Sequence, residues 1–453
     1  MYAFNIETGH TEWTNRKTAF AVLFPVFLGL LFQQLYNTFD ALIVGQYVGK
    51  EALAAVGGST STTINLLVNF VVGLCSGSTV IIAQEYGRRN YQGVSDSVKS
   101  GMFLAVIMGV LLMIVGLVFA PQLLRMLKVP DEVFSYSLTY MRVYFVGFIP
   151  SMIYNMGAGV LRAVGDSKRP LYFLIVACVV NIVLDIAFVR VFPWGVFGVA
   201  LSTVISQFIS AWLVLVVLGK TPDSYHYELK QFGFRKDLLK RIVIIGLPMG
   251  IQSVLYSVSN LFIQSSVNGF GTDTIAAYTA FGKIDAFYWN MDSAIGTAVM
   301  TLAGQNFGAR RIDRVKRIIL DGIIVESVLT VIICVSAGVF GEPLIGMFSK
   351  DPDVIRIGTE MLRFMVKTWW LFIPIEILCS GIRACGDSTV PMVMTALGIC
   401  VTRILWLTFY PYNTVIEALY CYPISWIITT IIFVVYYLQG GWLKKCIRKQ
   451  DEI

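Results

Sequence analysis

The chain has 453 residues, 56% of them hydrophobic and only 14% charged, with a formal net charge of +7 and a mean hydropathy of +0.72. A soluble protein of this length carries about a quarter charged residues, so the composition argues against a soluble globular enzyme. Both histidines, His10 and His226, lie in polar segments, which counts against His-based zinc sites and Ser-His triads.

The apolar residues come in blocks of roughly twenty or more, long enough at ~1.5 Å per residue to cross a ~30 Å hydrocarbon core. We read an all-α polytopic membrane protein. A β-barrel would instead alternate over segments of about ten residues. The polar start, "MYAFNIETGHTEWTNRK" (1–17), has no h-region or small-residue cleavage site and is expected to be a cytoplasmic segment, not a signal peptide. Spans 1–6 are expected at 18–44, 53–83, 98–120, 134–160, 170–192 and 195–218, forming an N-lobe over 18–220. A polar linker, 221–240, follows, with an amphipathic surface helix expected at 233–241. Spans 7–12 are expected at 241–267, 274–304, 317–340, 357–381, 391–411 and 414–439, forming a C-lobe over 241–440 before a basic tail, 441–453.

An even number of spans puts both termini on one side. About 24 of the 35 Lys and Arg residues fall on that side and about six in the opposite loops, so the positive-inside rule places the termini in the cytoplasm. The basic residues therefore set topology, and no nucleic-acid partner is implied. Of the eight cysteines, Cys75, Cys178, Cys334, Cys379, Cys400 and Cys421 lie in apolar stretches, and no disulfide framework or CxxC pair is present.

The halves repeat. "LRAVGDSKRP" (161–170) returns as "IRACGDSTVP" (382–391), "AQEYGRR" (83–89) as "GQNFGAR" (304–310), and "VGKEALAA" (48–55) as "FGTDTIAA" (270–277). Six spans per half give both repeats the same orientation, so the lobes are expected to be related by a pseudo-twofold along the membrane normal, with a cavity between them. In the R-A-x-G-D-S loops, Gly165 and Gly386 suit a left-handed helix end. Arg162–Asp166 and Arg383–Asp387 are expected to be ion pairs that lock the connector.

Ionisable residues at membrane depth are costly and face protein or water. Asp40 lies about seven residues before the outer end of span 1, and Asp185 about seven before that of span 5. Ser202 and Thr203 lie seven or eight residues into span 6, so all sit at about 10–12 Å depth. Asn181 precedes Asp185 by one turn, and Gln33, Tyr36, Asn37 and Asp40 form a stripe at helical spacing. A single buried Asp is most simply a link between helices. Two at one depth, with amides and hydroxyls, point to an oxygen-lined pocket for Na⁺ or for a proton. Pro25 supplies a kink in the same span as Asp40.

The second half lacks this set, with Phe262 or Ile263 opposite Asp40 and Trp406 opposite Asp185. It carries Lys283, Asp285 and Asp292 in span 8, Glu376 in span 10 and Arg403 in span 11. Arg403 is expected to pair with Glu376 or Asp285. These residues either line a C-lobe cavity or hold the lobe together.

Asp40 with "ALIVGQYVG", the paired "AQEYGRR"/"GQNFGAR" and "RAVGDS"/"RACGDS", and "NIVLD" ending at Asp185 together resemble the multidrug and toxic compound extrusion (MATE) family, in particular its DinF-like bacterial branch. The resemblance covers nearly the whole chain. It implies twelve helices in two lobes, a bacterial cytoplasmic membrane, a monomer, no cofactor beyond a coupling H⁺ or Na⁺, and Asp40, Asn181, Asp185 and Thr203 as the cation-coupling set. Ser202, Gln33, Tyr36 and Asn37 would support that set. A Na⁺ at Asp40/Asn181/Asp185 would be the only metal ion. The expected activity is cation-coupled export of small organic, cationic substrates by a non-enzyme. A lipid-linked precursor flippase of the same superfamily is the alternative. A membrane-embedded transferase is a more distant one, since neither histidine lies in a span.

Overall fold

The computed structural model describes residues 16–451 except 50, 51, 53, 54, 57, 58, 128, 229 and 231, and the side chains of 16–22, 36, 37, 41, 59, 61 and 62 also lie outside the description. Helices run in the order α1 (Arg16–Tyr47), α2 (Ser59–Gly87), α3 (Tyr91–Met126), α4 (Asp131–Val146), α5 (Phe148–Ala163), α6 (Lys168–Ile186) and α7 (Gly195–Lys220). They continue with α8 (Lys236–Asn268), α9 (Thr272–Gly308), α10 (Ile312–Gly346), α11 (Pro352–Met365), α12 (Ile373–Ala384), α13 (Thr389–Thr395), α14 (Thr402–Phe409), α15 (Val415–Leu419), α16 (Cys421–Gln439) and α17 (Gly441–Asp451). No strand occurs among the described residues.

Among the described residues, eight helices are long and apolar enough to cross a membrane, and ten if each bent pair, α4/α5 (46°) and α11/α12 (42°), is one span. The long helices α1 and α9 bring the count to the twelve read from the sequence. The most apolar stretch of α3 has mean hydropathy 3.0 yet is only 28% buried. Val115, Val118 and Phe119 on α3, and Val331, Val335 and Val339 on α10, face outward. Apolar surface of that extent is stable only against hydrocarbon, and the chain is an integral membrane protein.

Local chemistry sets the helix ends. Asn90 caps α3 by accepting from Gly93 N at 3.0 Å, and Asp351 caps α11 ahead of Pro352, accepting from Asp353 N at 2.9 Å. The bend in each fourth span follows from missing donors, because Pro150 and Pro374 stand in the first turns of α5 and α12.

The duplication is written into the backbone. Positive φ recurs at the repeat mates Gly49 (124°) and Gly271 (99°), Arg89 (58°) and Arg310 (57°), and Gly165 (93°) and Gly386 (95°).

The chain forms two compact units, Phe20–Gly250 and one built on Ile251–Ile453. In the first, α5 packs on α2, α3 and α7, and α6 on α7. The first half of α8 lies directly on α2. A Cβ on Gly77 would come within 2.6 Å of Gly246 Cα and Ile242 O, and one on Gly73 within 2.7 Å of Gly250 Cα. In the second, α9 packs on α10, α11 and α12, and α16 on α12.

Two expectations are corrected here. The linker holds no separate helix at 233–241. Residues 232–235 are extended and α8 starts at Lys236, running unbroken into the span. Phe232 and Phe234 dock on Phe103 at centroid distances of 5.0 and 4.5 Å, and Arg235 and Arg241 pair with Asp96 (3.2 Å) and Glu85 (3.5 Å). The connector ion pairs differ as well. Asp166 binds Arg169 at 3.2 Å while Arg162 lies beside Tyr154 and Cys75; Asp387 binds Lys445 at 3.0 Å while Arg383 donates to Gln252. The left-handed glycine turns the chain after the helix, so Arg and Asp four apart no longer share a face. In the basic tail, α17 buries Trp442, Leu443 and Cys446.

Candidate functional site

Three helices of the first unit bring Asp40, Asn181, Asp185, Ser202 and Thr203 together. Helix α1 carries Asp40, with Pro25 fifteen residues earlier in the same helix. Helix α6 presents Asn181 and Asp185 one turn apart, and α7 presents Ser202 and Thr203 as neighbours, each hydroxyl also donating to Val199 O (2.8 and 3.0 Å). None of the five is more than 3% exposed.

The hydroxyls divide between the two acids. Thr203 Oγ1 donates to Asp40 Oδ2 at 3.3 Å, and Ser202 Oγ donates to Asp185 Oδ1. Asn181 Nδ2 reaches Ser202 Oγ at 3.4 Å. The two carboxyls are close enough to interact electrostatically. Asp40 Oδ1, Asp185 Oδ2 and Asn181 Oδ1 have no hydrogen-bond partner. The site is therefore rich in acceptors and short of donors, which is the condition for holding a proton or a small hard cation. Ser202, a secondary choice from sequence, is as close to the acids as Thr203.

Apolar side chains seal the surroundings. Ile43, Val44, Val189, Val196, Val199 and Ala200 form one buried cluster with Tyr140, and Tyr144 packs against it. Tyr140 and Tyr144 of α4 are close enough to Asp40 to interact electrostatically with it. Sequence reading passed over both, although their spacing of four in a span was the available signal. Gln33 of α1 is exposed, and the Tyr36 and Asn37 side chains lie outside the described residues.

In the second unit the residues singled out from sequence do not converge as expected. Asp285 accepts from Trp289 Nε1 (2.7 Å) and Trp369 Nε1 (3.1 Å). Arg403 pairs with neither Asp285 nor Glu376: its guanidinium donates to Ser425 Oγ (3.4 Å) and Asn260 Oδ1 (3.2 Å) and lies over the Tyr422 ring at 4.4 Å. Neutral oxygens and an aromatic face on neighbouring helices satisfy the buried charge in place of an acid. Glu376 accepts from Ser380 at 3.1 Å, Lys283 is exposed, and Asp292 is buried. Glu326 of α10, fully buried, was not singled out at all. Among the described residues, no group of three or more His, Cys, Asp or Glu is placed to hold a metal ion.

The fold and sequence have clear relatives. The MatE family model matches residues 25–187 and 248–407, one block per half. The probable multidrug resistance protein YoeA of Bacillus subtilis is 28% identical, covering 94% of each chain. The probable multidrug resistance protein NorM of Thermotoga maritima is 25% identical, covering 97% of this chain and 95% of its own. A crystal structure of MATE in the bent conformation superposes with a TM-score of 0.86 at 21% identity, over 95% of this chain and 97% of that one. With most of its length matched by the family model in two repeated blocks, the chain belongs to the MatE family of membrane transporters and is not an enzyme.

Proposed function

We propose that the chain is a cation-coupled antiporter that exports amphipathic, cationic small molecules by alternating access. One observation carries this reading: Asp40 and Asp185 meet inside apolar helices with Asp40 Oδ1, Asp185 Oδ2 and Asn181 Oδ1 left unpartnered. Two neighbouring carboxylates, each with a single hydroxyl donor, repel each other in low dielectric, and a proton or a Na⁺ between them removes the penalty. Ser202, Thr203 and Asn181 contribute the neutral oxygens. Occupation and release thus change the charge of a sealed pocket. An ion drives a conformational change only by binding the two states unequally, and a pocket dry in one state and wet in the other meets that condition. Pro25 gives α1 a place to bend as the site empties.

The names of the relatives, multidrug resistance proteins, support drug-like substrates. The excess of Lys and Arg on one side supports cytoplasmic termini in a bacterial cytoplasmic membrane. We further read 18–220 and 241–440 as the moving lobes joined by 221–240, acting within a monomer, in a protein of the DinF-like branch.

The test is purified full-length protein in liposomes, with H⁺ and Na⁺ gradients imposed separately. Uphill uptake of a fluorescent organic cation under one of the two gradients is expected, and it names the ion. Equilibration without accumulation under both would sink the proposal.

A further inference from the structure

The second unit holds another group of buried acids, well apart in sequence from the first. Asp292 stands near the middle of α9, twenty residues after its start and sixteen before its end. Glu326 stands on α10, fourteen residues after its start. At ~1.5 Å per residue both lie about 20 Å or more from those helix ends, at a depth without bulk water. Asp292 is 4% exposed and Glu326 fully buried. Helices α9 and α10 pack on each other, and the two carboxyls are close enough to interact electrostatically.

The donor count is the informative quantity. Asp292 Oδ1 and both oxygens of Glu326 have no hydrogen-bond partner. Tyr288, one turn before Asp292, lies against both acids, but its hydroxyl donates to Trp369 O at 3.0 Å, and its only proton is committed there. Thr330, one turn beyond Glu326 and also beside Tyr288, adds a hydroxyl that is 1% exposed and without a partner. The titratable groups around the acids are Tyr288 on α9, Cys334 on α10, Glu376, Cys379 and Arg383 on α12, and Tyr256 on α8. Arg383 acts on Glu376 and donates to Gln252, so its charge is used elsewhere. Glu376 is placed close by: a Cβ on Gly296, one turn after Asp292, would overlap Glu376 Oε1. Its Oε1 accepts from Ser380 at 3.1 Å, and its charge acts on both of the other acids.

We propose that Asp292 and Glu326 share a proton and form a second proton-binding site, independent of Asp40 and Asp185, with Glu376 as the neighbouring charge that modulates it. Two bare carboxylates at this depth would each carry a desolvation penalty and repel one another. One proton converts that repulsion into an O–H···O⁻ hydrogen bond, a short and strong type. A proton, not a metal ion, is assigned to the pair, because among the described residues no group of three or more His, Cys, Asp or Glu is placed to hold a metal ion.

Infrared difference spectroscopy on the full chain in nanodiscs tests this, with Asp40→Asn and Asp185→Asn combined to silence the first site. In buffer above the ordinary range of carboxylate titration, a protonated-carboxyl C=O band is expected to remain. It should disappear on adding Glu326→Gln and shift on adding Asp292→Asn. Isotope labelling of all glutamates or all aspartates assigns the band with residues 292 and 326 unchanged, so a variant that fails to fold does not block the result. Absence of the band in the silenced protein, its survival through both additions, or its suppression by added Na⁺ at constant pH would overturn the proposal.

Discussion

Asp40→Asn separates charge from shape at the first site. The side chains are nearly isosteric, and Asp40 Oδ2, which accepts from Thr203 at 3.3 Å, keeps an acceptor. The change removes a charge that interacts with Asp185 and leaves room for the amide at Oδ1, which has no hydrogen-bond partner. An amide there offers Asp185 a permanent N–H and removes the need for a proton or cation between the two groups. Two facing carboxyls accommodate one ion per cycle. A gradient of one pH unit, or tenfold in Na⁺, is then worth about 1.4 kcal/mol, which corresponds to about tenfold substrate accumulation. The assay is uptake of a fluorescent organic cation into liposomes under that single gradient. Wild type should approach about tenfold accumulation, and the variant should equilibrate without accumulating. The melting midpoint of the variant should rise, because a like-charge pair has been removed from the interior. Accumulation near tenfold by Asp40→Asn under the same gradient would refute the reasoning.

Other consequences are structural. Gly77→Ala puts a Cβ within 2.6 Å of backbone atoms of α8, and overpacking of this kind costs about 1–3 kcal/mol; Gly338→Ala, with nothing within 4 Å, is the control, and equal melting midpoints would contradict the close helix contact. Arg241→Ala removes one of two guanidinium partners of Glu85, which is 2% exposed and keeps Arg88 at 3.1 Å and Asn90 at 2.9 Å, for a loss of about 0.5–1.5 kcal/mol. Arg235→Ala removes a guanidinium that is 59% exposed and should cost about 0–1 kcal/mol, so denaturation that ranks the two the other way would be decisive. Burial in α17 pushes the Cys446 thiol up to about 12. A raised thiol pKa leaves little thiolate near neutrality, so maleimide labelling of Cys446 in the folded protein should be slow at pH 7 and rise about tenfold per pH unit toward pH 10; a plateau below pH 9 would count against docking of α17.

Much of the architecture was legible because it depends on neighbours in sequence. Apolar blocks announced the spans, and the repeated loops announced the matched left-handed residues Arg89 and Arg310, Gly165 and Gly386. Matched depth brought Asp40, Asn181, Asp185 and Thr203 to attention before any coordinates. Legibility ended where pairing was inferred from spacing alone. Arg162 and Asp166 sit four apart, yet Gly165 at φ 93° breaks the helical relation and hands Asp166 to Arg169. Arg403 was given an acid by charge matching, but its helix faces Asn260, Ser425 and Tyr422. Glu326 escaped notice as a lone acid in an apolar span, because its significance comes from Asp292 on another helix.

The sequence by itself determined that this protein lives in a membrane, that it is built of apolar helices long enough to cross one, and that its halves are duplicates. Those properties follow from local composition measured against a slab of fixed thickness. Only the tertiary structure decided which polar groups meet. Thr203 reaches Asp40 across 163 residues of chain, and Glu326 reaches Asp292 between two helices whose rotation is set by packing. Helix rotation and crossing depend on contacts summed over whole faces, and a one-dimensional pattern holds the faces but not their partners.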